Sequence, residues 1–234
     1  MLSTLVLLLV LLISTALASQ GPNALHDAVV GDDLDALQAA LKAGASTEDR
    51  DALGYTVLMR AADDGAIDAA KELLAAGALV NARDNSKATA LHLAAEGGFT
   101  DLVQLLIDSG AELEAADQFG WTPMHAAASR DRVGALSALL AAGASAAATD
   151  EDGKTPLAWA ASQGHEAASG LLDDHAIRRL AEKEAAGEAV LEDAAPTGSD
   201  DDAEPARREA DDEEAATARR VASLLAEQAR KSEL

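Results

Sequence analysis

Cysteine is absent from this chain, and aromatic residues make up only 2% of it. The first absence excludes disulfides, thiolate metal sites and cysteine nucleophiles. The second excludes an interior built on large rings around a deep pocket. Positive charge is short as well: 18 Lys and Arg stand against 41 Asp and Glu, a formal net charge of −23. A surface of that sign repels phosphate backbones and anionic lipid, so neither nucleic acid nor an acidic membrane is an expected partner. It favours solubility and a protein partner with a basic surface.

What the chain does have is small apolar residues and a period. Hydrophobic residues reach 49%, with alanine supplying much of that share, and small side chains suit helices stacked at close range. Leu25, Leu58, Leu91, Met124 and Leu157 follow one another at steps of 33 residues without an insertion. Asp51, Asp84, Asp117 and Asp150 keep the same step, as do Thr56, Thr89, Thr122 and Thr155, and Gly44, Gly77, Gly110 and Gly143. A fixed period of this size means stacked supersecondary units.

The copies Thr122-Pro123-Met124-His125-Ala126-Ala127-Ala128 and Thr155-Pro156-Leu157-Ala158-Trp159-Ala160-Ala161 resemble the T-P-L-H-x-A-A core of the ankyrin repeat. The resemblance covers about residues 20 to 180. It implies an all-α solenoid in which each repeat is a helix–turn–helix followed by a β-turn or hairpin finger. The expected repeats are about 19–50, 51–83, 84–116, 117–149 and 150–186.

The local pattern agrees with that order. Ala24 to about Val30 reads as a first helix with Asn23 as its cap, and Leu34 to Lys42 as a second, with Leu34, Leu37 and Leu41 on one face. Gly44 supplies the left-handed residue that ends it. Each Asp opens a turn by accepting backbone N–H groups, and a Gly near the turn's end takes positive φ. The third copy has Lys87 at that Gly position, which predicts a strained or reshaped turn. Asp27, Asp32 and Asp33 make the first unit a wetted N-terminal cap. The fifth unit loses its closing Gly, so its second helix is expected to run on to about Ala186.

The two ends differ from the middle. Residues 1–18 are nearly all apolar and finish Ala16-Leu17-Ala18, which reads as a cleaved signal peptide, too short for a span. No membrane insertion is expected after cleavage. Residues 187–234 carry Asp200-Asp201-Asp202 and Asp211-Asp212-Glu213-Glu214, the composition of a disordered acidic tail, with one possible helix over 209–230. The last four residues, Lys231, Ser232, Glu233 and Leu234, resemble the K-D-E-L retention signal with Ser in place of Asp. Together the ends imply the endoplasmic reticulum lumen and a retrieval receptor that reads the C-terminus, with plain secretion the alternative.

No arrangement of chemistry-bearing residues predicts catalysis. Gly153-Lys154-Thr155 has Ala148 where a phosphate loop needs its first Gly, and neither G-x-S-x-G nor H-E-x-x-H occurs. His26, His92 and His125 share one repeat position but fall in separate layers, which suits structure better than a metal site. In the ankyrin family this His bonds the Thr of its own motif, here Thr89 and Thr122. The acidic runs lack the spaced ligands of an EF-hand, leaving only low-affinity Ca²⁺ buffering by the tail as a rival function. No catalytic residue, cofactor or metal ligand is therefore assigned.

The expected function is a non-catalytic protein-binding module, either lumenal or, as a secreted effector, outside the cell. The resemblance implies contact through finger tips and through a groove lined by the first helices. On this sequence the finger positions are Leu53, Tyr55, Ser86, Ala88, Phe119, Trp121, Glu151, Asp152 and Lys154. The groove positions are Asp63, Asp64, Glu96, Ser129, Arg130, Ser162 and Gln163. Tyr55 and Trp121 are expected to face a partner; Phe119 stands equally well for contact or for packing on the next finger. Trp159 is expected to pack within the stack.

Overall fold

The computed structural model describes residues 24–185 and divides the chain after Leu172. The expected signal peptide, Asn23 cap, acidic tail, 209–230 helix and C-terminal signal all lie outside the described residues. Among those described, ten helices and no strands occur. They are α1 (Ala24–Val30), α2 (Leu34–Lys42), α3 (Val57–Asp64), α4 (Ile67–Ala75) and α5 (Ala90–Gly97). After these come α6 (Thr100–Asp108), α7 (Pro123–Ala128), α8 (Val133–Ala141), α9 (Pro156–Ser162) and α10 (Glu166–Ala185). The fold is an all-α solenoid, as the ankyrin resemblance implies; α10 is described to Ala185, and the expected end at Ala186 lies outside the described residues.

The unit through Leu172 is a double row. Each first helix (α1, α3, α5, α7, α9) packs on the next first helix, and the second helices α2, α4, α6 and α8 do the same. The period puts alanine where the first helices meet: Ala28, Ala61, Ala94, Ala127 and Ala160 occupy one repeat position and are all buried. A methyl side chain lets two helix axes approach, because nothing larger stands between them. The second row is filled at Ala40, Leu73, Leu106, Leu139 and Leu172, each at most 1% exposed. Leu157 and Ala161 of α9 keep more exposure than their counterparts Leu58, Leu91, Ala62 and Ala95. No further described repeat packs on that face. Of the second unit, residues 173–185 are described, and they are helical.

The first helices are only six to eight residues long. That is too short for stability by hydrogen bonding alone, so neighbouring layers must hold them. Their starts are fixed by Thr56, Thr89, Thr122 and Thr155 in extended N-cap conformation. Pro123 and Pro156 take the first helical position, where no N–H is needed.

Candidate protein-binding surface

Each finger is a closed turn built by one aspartate. Asp51 Oδ1 accepts the N–H groups of Leu53 (2.9 Å) and Tyr55 (3.0 Å). Asp84 does so from Ser86 and Ala88, both at 2.8 Å. Asp117 accepts from Phe119 (2.8 Å) and Trp121 (2.9 Å), and Asp150 from Asp152 (3.0 Å) and Lys154 (2.8 Å). Backbone bonds from Asp51 N to Tyr55 O and from Gly54 N to Asp51 O close the loop, and the other copies repeat them. The hairpin of each finger is thus reduced to a tight turn, with an isolated bridge between Arg50 and Thr56 rather than strands.

Gly54, Gly120 and Gly153 have φ of 82°, 78° and 74°. Lys87 adopts φ 66° at the same position, so the turn opened by Asp84 keeps the shape of the others and carries the strain. Successive fingers are tied together: Asn85 N donates to Leu53 O, Gln118 N to Ser86 O and Glu151 N to Phe119 O. A Cβ on Gly120 would come within 2.8 Å of Glu151 N, so close approach as well as φ demands glycine there.

The aromatic finger residues differ in what surrounds them. Phe119 is 59% exposed and Leu53 56%. Tyr55 is half-buried against the core, with the Arg60 guanidinium 5.0 Å from its ring centre. Trp121 is also half-buried, edge-on to Trp159 at 4.9 Å and stacked on His125 at 6.4 Å. Trp159 donates from Nε1 to Asp150 Oδ2 at 2.6 Å, and Lys154 Nζ lies 4.5 Å over its ring. Tyr55 and Trp121 therefore build the fingers as much as they face solvent, while Phe119 and Leu53 stand free.

Beneath the fingers runs a histidine ladder. His92 and His125 accept the N–H of Thr89 and Thr122 at Nδ1 (3.1 Å each) and lie by Nε2 against the carbonyls of Trp121 (2.9 Å) and Lys154 (3.1 Å) in the next repeat. With Nδ1 accepting, Nε2 holds the proton and donates. The expected bond to the motif's own threonine is present, and the bond onward to the next finger went unforeseen. His26 makes the onward bond to Tyr55 O at 3.0 Å, and Met59 takes the position in the second repeat. Burial pushes the His92 and His125 pKa down, more than the Nε2 carbonyl bonds pull it up. Among the described residues no three His, Asp or Glu side chains converge as metal ligands.

The groove positions form a mixed-charge surface. Arg130 contacts Glu96 Oε1 through Nε (3.1 Å) and Nη2 (2.8 Å), and Arg132 Nε donates to Glu96 O at 3.0 Å. Arg60 pairs with Asp63 at 3.2 Å and also with Asp51. Burial, with Asp64 and Glu96 nearby, raises the Asp63 pKa despite Arg60. A depression of about 230 Å³ lies among Asp63, Leu93, Glu96, Gly97, Arg130 and Arg132. Asp64, Ser162 and Gln163 are exposed and Ser129 is half-buried. Arginine thus offsets two of the three groove carboxylates, and neither Arg60 nor Arg132 stood out in the sequence.

A third set of residues went unread. Glu48, Asn81 and Glu114 share the repeat step and accept the N–H of Leu79 (2.9 Å), Glu112 (2.8 Å) and Ser145 (2.7 Å) in the following repeat. Arg50 and Arg83 likewise reach the carbonyls of Arg83 (2.6 Å) and Ala116 (2.8 Å). Alignment of the copies on polar as well as apolar positions would have found both sets.

Rigid tips on a stack of short helix pairs define a repeat scaffold that meets partners with its surface. A family model described as ankyrin repeats (3 copies) matches residues 3–84, 25–117 and 91–179. The chain belongs to the ankyrin repeat family. Ankyrin repeats mediate protein–protein interaction, and the family is typically a non-enzymatic scaffold. No curated protein matches the sequence.

Proposed function

We propose that this chain is a non-catalytic protein-binding module of the endoplasmic reticulum lumen that engages its partner through the finger tips and the adjoining groove. The carrying observation is the pair Leu53 and Phe119, large apolar side chains held out at 56% and 59% exposure on turns fixed by aspartate. A turn immobilised in advance loses little entropy on binding, and exposed aromatic side chains are frequent anchors. Tyr55, Trp121, Glu151, Asp152 and Lys154 flank these tips, and Asp63, Asp64, Glu96 and Arg130 supply the polar surround. The net charge of −23 favours a partner with a basic surface.

A photo-crosslinking amino acid placed at position 119 tests the reading, with position 104 on α6 as control, since Gln104 is exposed and far along the repeat from the turn. A discrete adduct from 119 and none from 104 is the expected outcome. Equal labelling from both positions contradicts a finger-mediated site. For location, residues 1–18 and the Lys231–Leu234 terminus support lumenal retention through a retrieval receptor. Deleting the last four residues should shift the protein from cell lysate to medium; an unchanged distribution overturns retention.

A further inference from the structure

The fingers leave the other end of the helices unaccounted for. Each first helix starts at its turn and runs away from it, so the loops joining first to second helices lie at the far end. There, between the first and second repeats, a cleft of about 270 Å³ opens. Its walls are apolar, from Ala28, Val29, Leu37, Ile67 and Ala69, and its rim carries Asp32, Asp33 and Asp68. Pockets for drug-sized ligands begin at roughly this volume, so the cleft suits a single side chain better than a free small molecule.

The repeat itself shows what is unusual here. Asp32, Gly65, Gly98, Asp131 and Gly164 occupy one position, and all have positive φ. Three are glycine. Asp131, at φ 55°, uses its carboxylate: Oδ1 accepts the N–H of Ala168 in the next repeat at 3.0 Å, which closes that layer. Asp32 has nearly the same φ, 51°, and its counterpart donor belongs to Ala69. That bond is not made, and the Asp32 carboxylate has no hydrogen-bond or ion-pair partner among the described residues. The layer stays open where Ala69 lines the cleft. Asp33 is engaged in accepting Ala36 N (2.9 Å) to cap α2, and Asp68 pairs with Lys71 at 3.0 Å on the open surface.

We propose that this cleft is a second binding site, for a lysine side chain of a partner protein, separate from the finger surface. A lysine stem lies along apolar walls while its ammonium stays at the wet rim, and that rim offers the unpaired Asp32 carboxylate beside Asp33 and Asp68. The net charge of −23 raises the local concentration of cationic groups further. A compact ammonium matches a rim of separate carboxylates, whereas a planar guanidinium gains most from one bidentate acceptor.

The test uses n-pentylammonium, the lysine side chain together with its Cα, titrated into the ¹⁵N-labelled full chain and followed by amide chemical shifts. Saturable shifts at Asp32, Ile67 and Ala69, absent with n-pentanol, are the expected result. Asp32→Gly should fold, because Gly65 and Gly98 already hold this position, and it should weaken n-pentylammonium binding about fivefold, as expected for loss of an exposed charge partner. Equal shifts from n-pentanol would make the cleft a plain apolar hole. Undiminished binding by Asp32→Gly, no shifts at all, or tighter binding of n-butylguanidinium would each overturn the proposal. Crosslinking at position 119 is unaffected by any of these outcomes, so the two readings fail separately.

Discussion

At the scale of the residue, conformation and protonation both carry measurable consequences. Lys87 pays for positive φ at a position where three other repeats place glycine. Lys87→Gly should raise stability by about 0.5–1 kcal/mol, the left-handed penalty less the extra backbone entropy of glycine, and a urea midpoint reads it. The histidine ladder fixes the sign of a pH effect. His92 and His125 have folded pKa values below the ordinary 6.5, so the unfolded chain binds more protons and stability rises with pH. Their contribution is present above 6.5 and is lost as pH falls from there through the lowered folded values. His92→Gln with His125→Gln should show a flatter dependence of melting temperature between about pH 7 and pH 5.5 than the parent chain. Equal slopes would mean that these rings do not titrate on unfolding.

At the scale of the element, the period made the helices legible. The bounds Ala24–Val30 and Leu34–Lys42 follow from apolar spacing and from Gly31 and Gly44, and the structure places them there. Threonine, aspartate and glycine act locally, so one copy of each is enough to read a cap or a turn. The cross-layer contacts were not legible, because they join residues about 30 apart whose side chains read as ordinary surface. Glu48 and Asn81 are examples, and so is Trp121, whose burial against Trp159 depends on where the next repeat sits. Arg130 and Glu96 were read as groove positions, but their pairing, and the bond of Arg132 to Glu96 O, arise only once the layers stack. The alanine seam gives a prediction for the whole row. Ala94→Leu would force branched bulk into a contact with no free surface and should cost about 1–3 kcal/mol. Since repeats are coupled mainly to their nearest neighbours, hydrogen exchange should rise most in α3, α5 and α7.

At the scale of the whole molecule, the unit through Leu172 supplies a surface rather than a chamber. Among the described residues its apolar interior is consumed in stacking layers, and two depressions on it, of about 270 Å³ and 230 Å³, lie between repeats. Selectivity must then come from side chains held in fixed register along the stack. Removing apolar anchors from that register, without touching the half-buried Tyr55 and Trp121, isolates binding from folding. The deciding measurement is the affinity of the partner, first identified by crosslinking at position 119, for the unlabelled parent chain and for Leu53→Ala/Phe119→Ala, with circular dichroism showing both folded. The double variant should lose affinity by about tenfold or more, about 1.4 kcal/mol, as expected when the few anchors that carry most of the binding energy are truncated. Undiminished affinity would contradict a finger-mediated binding module.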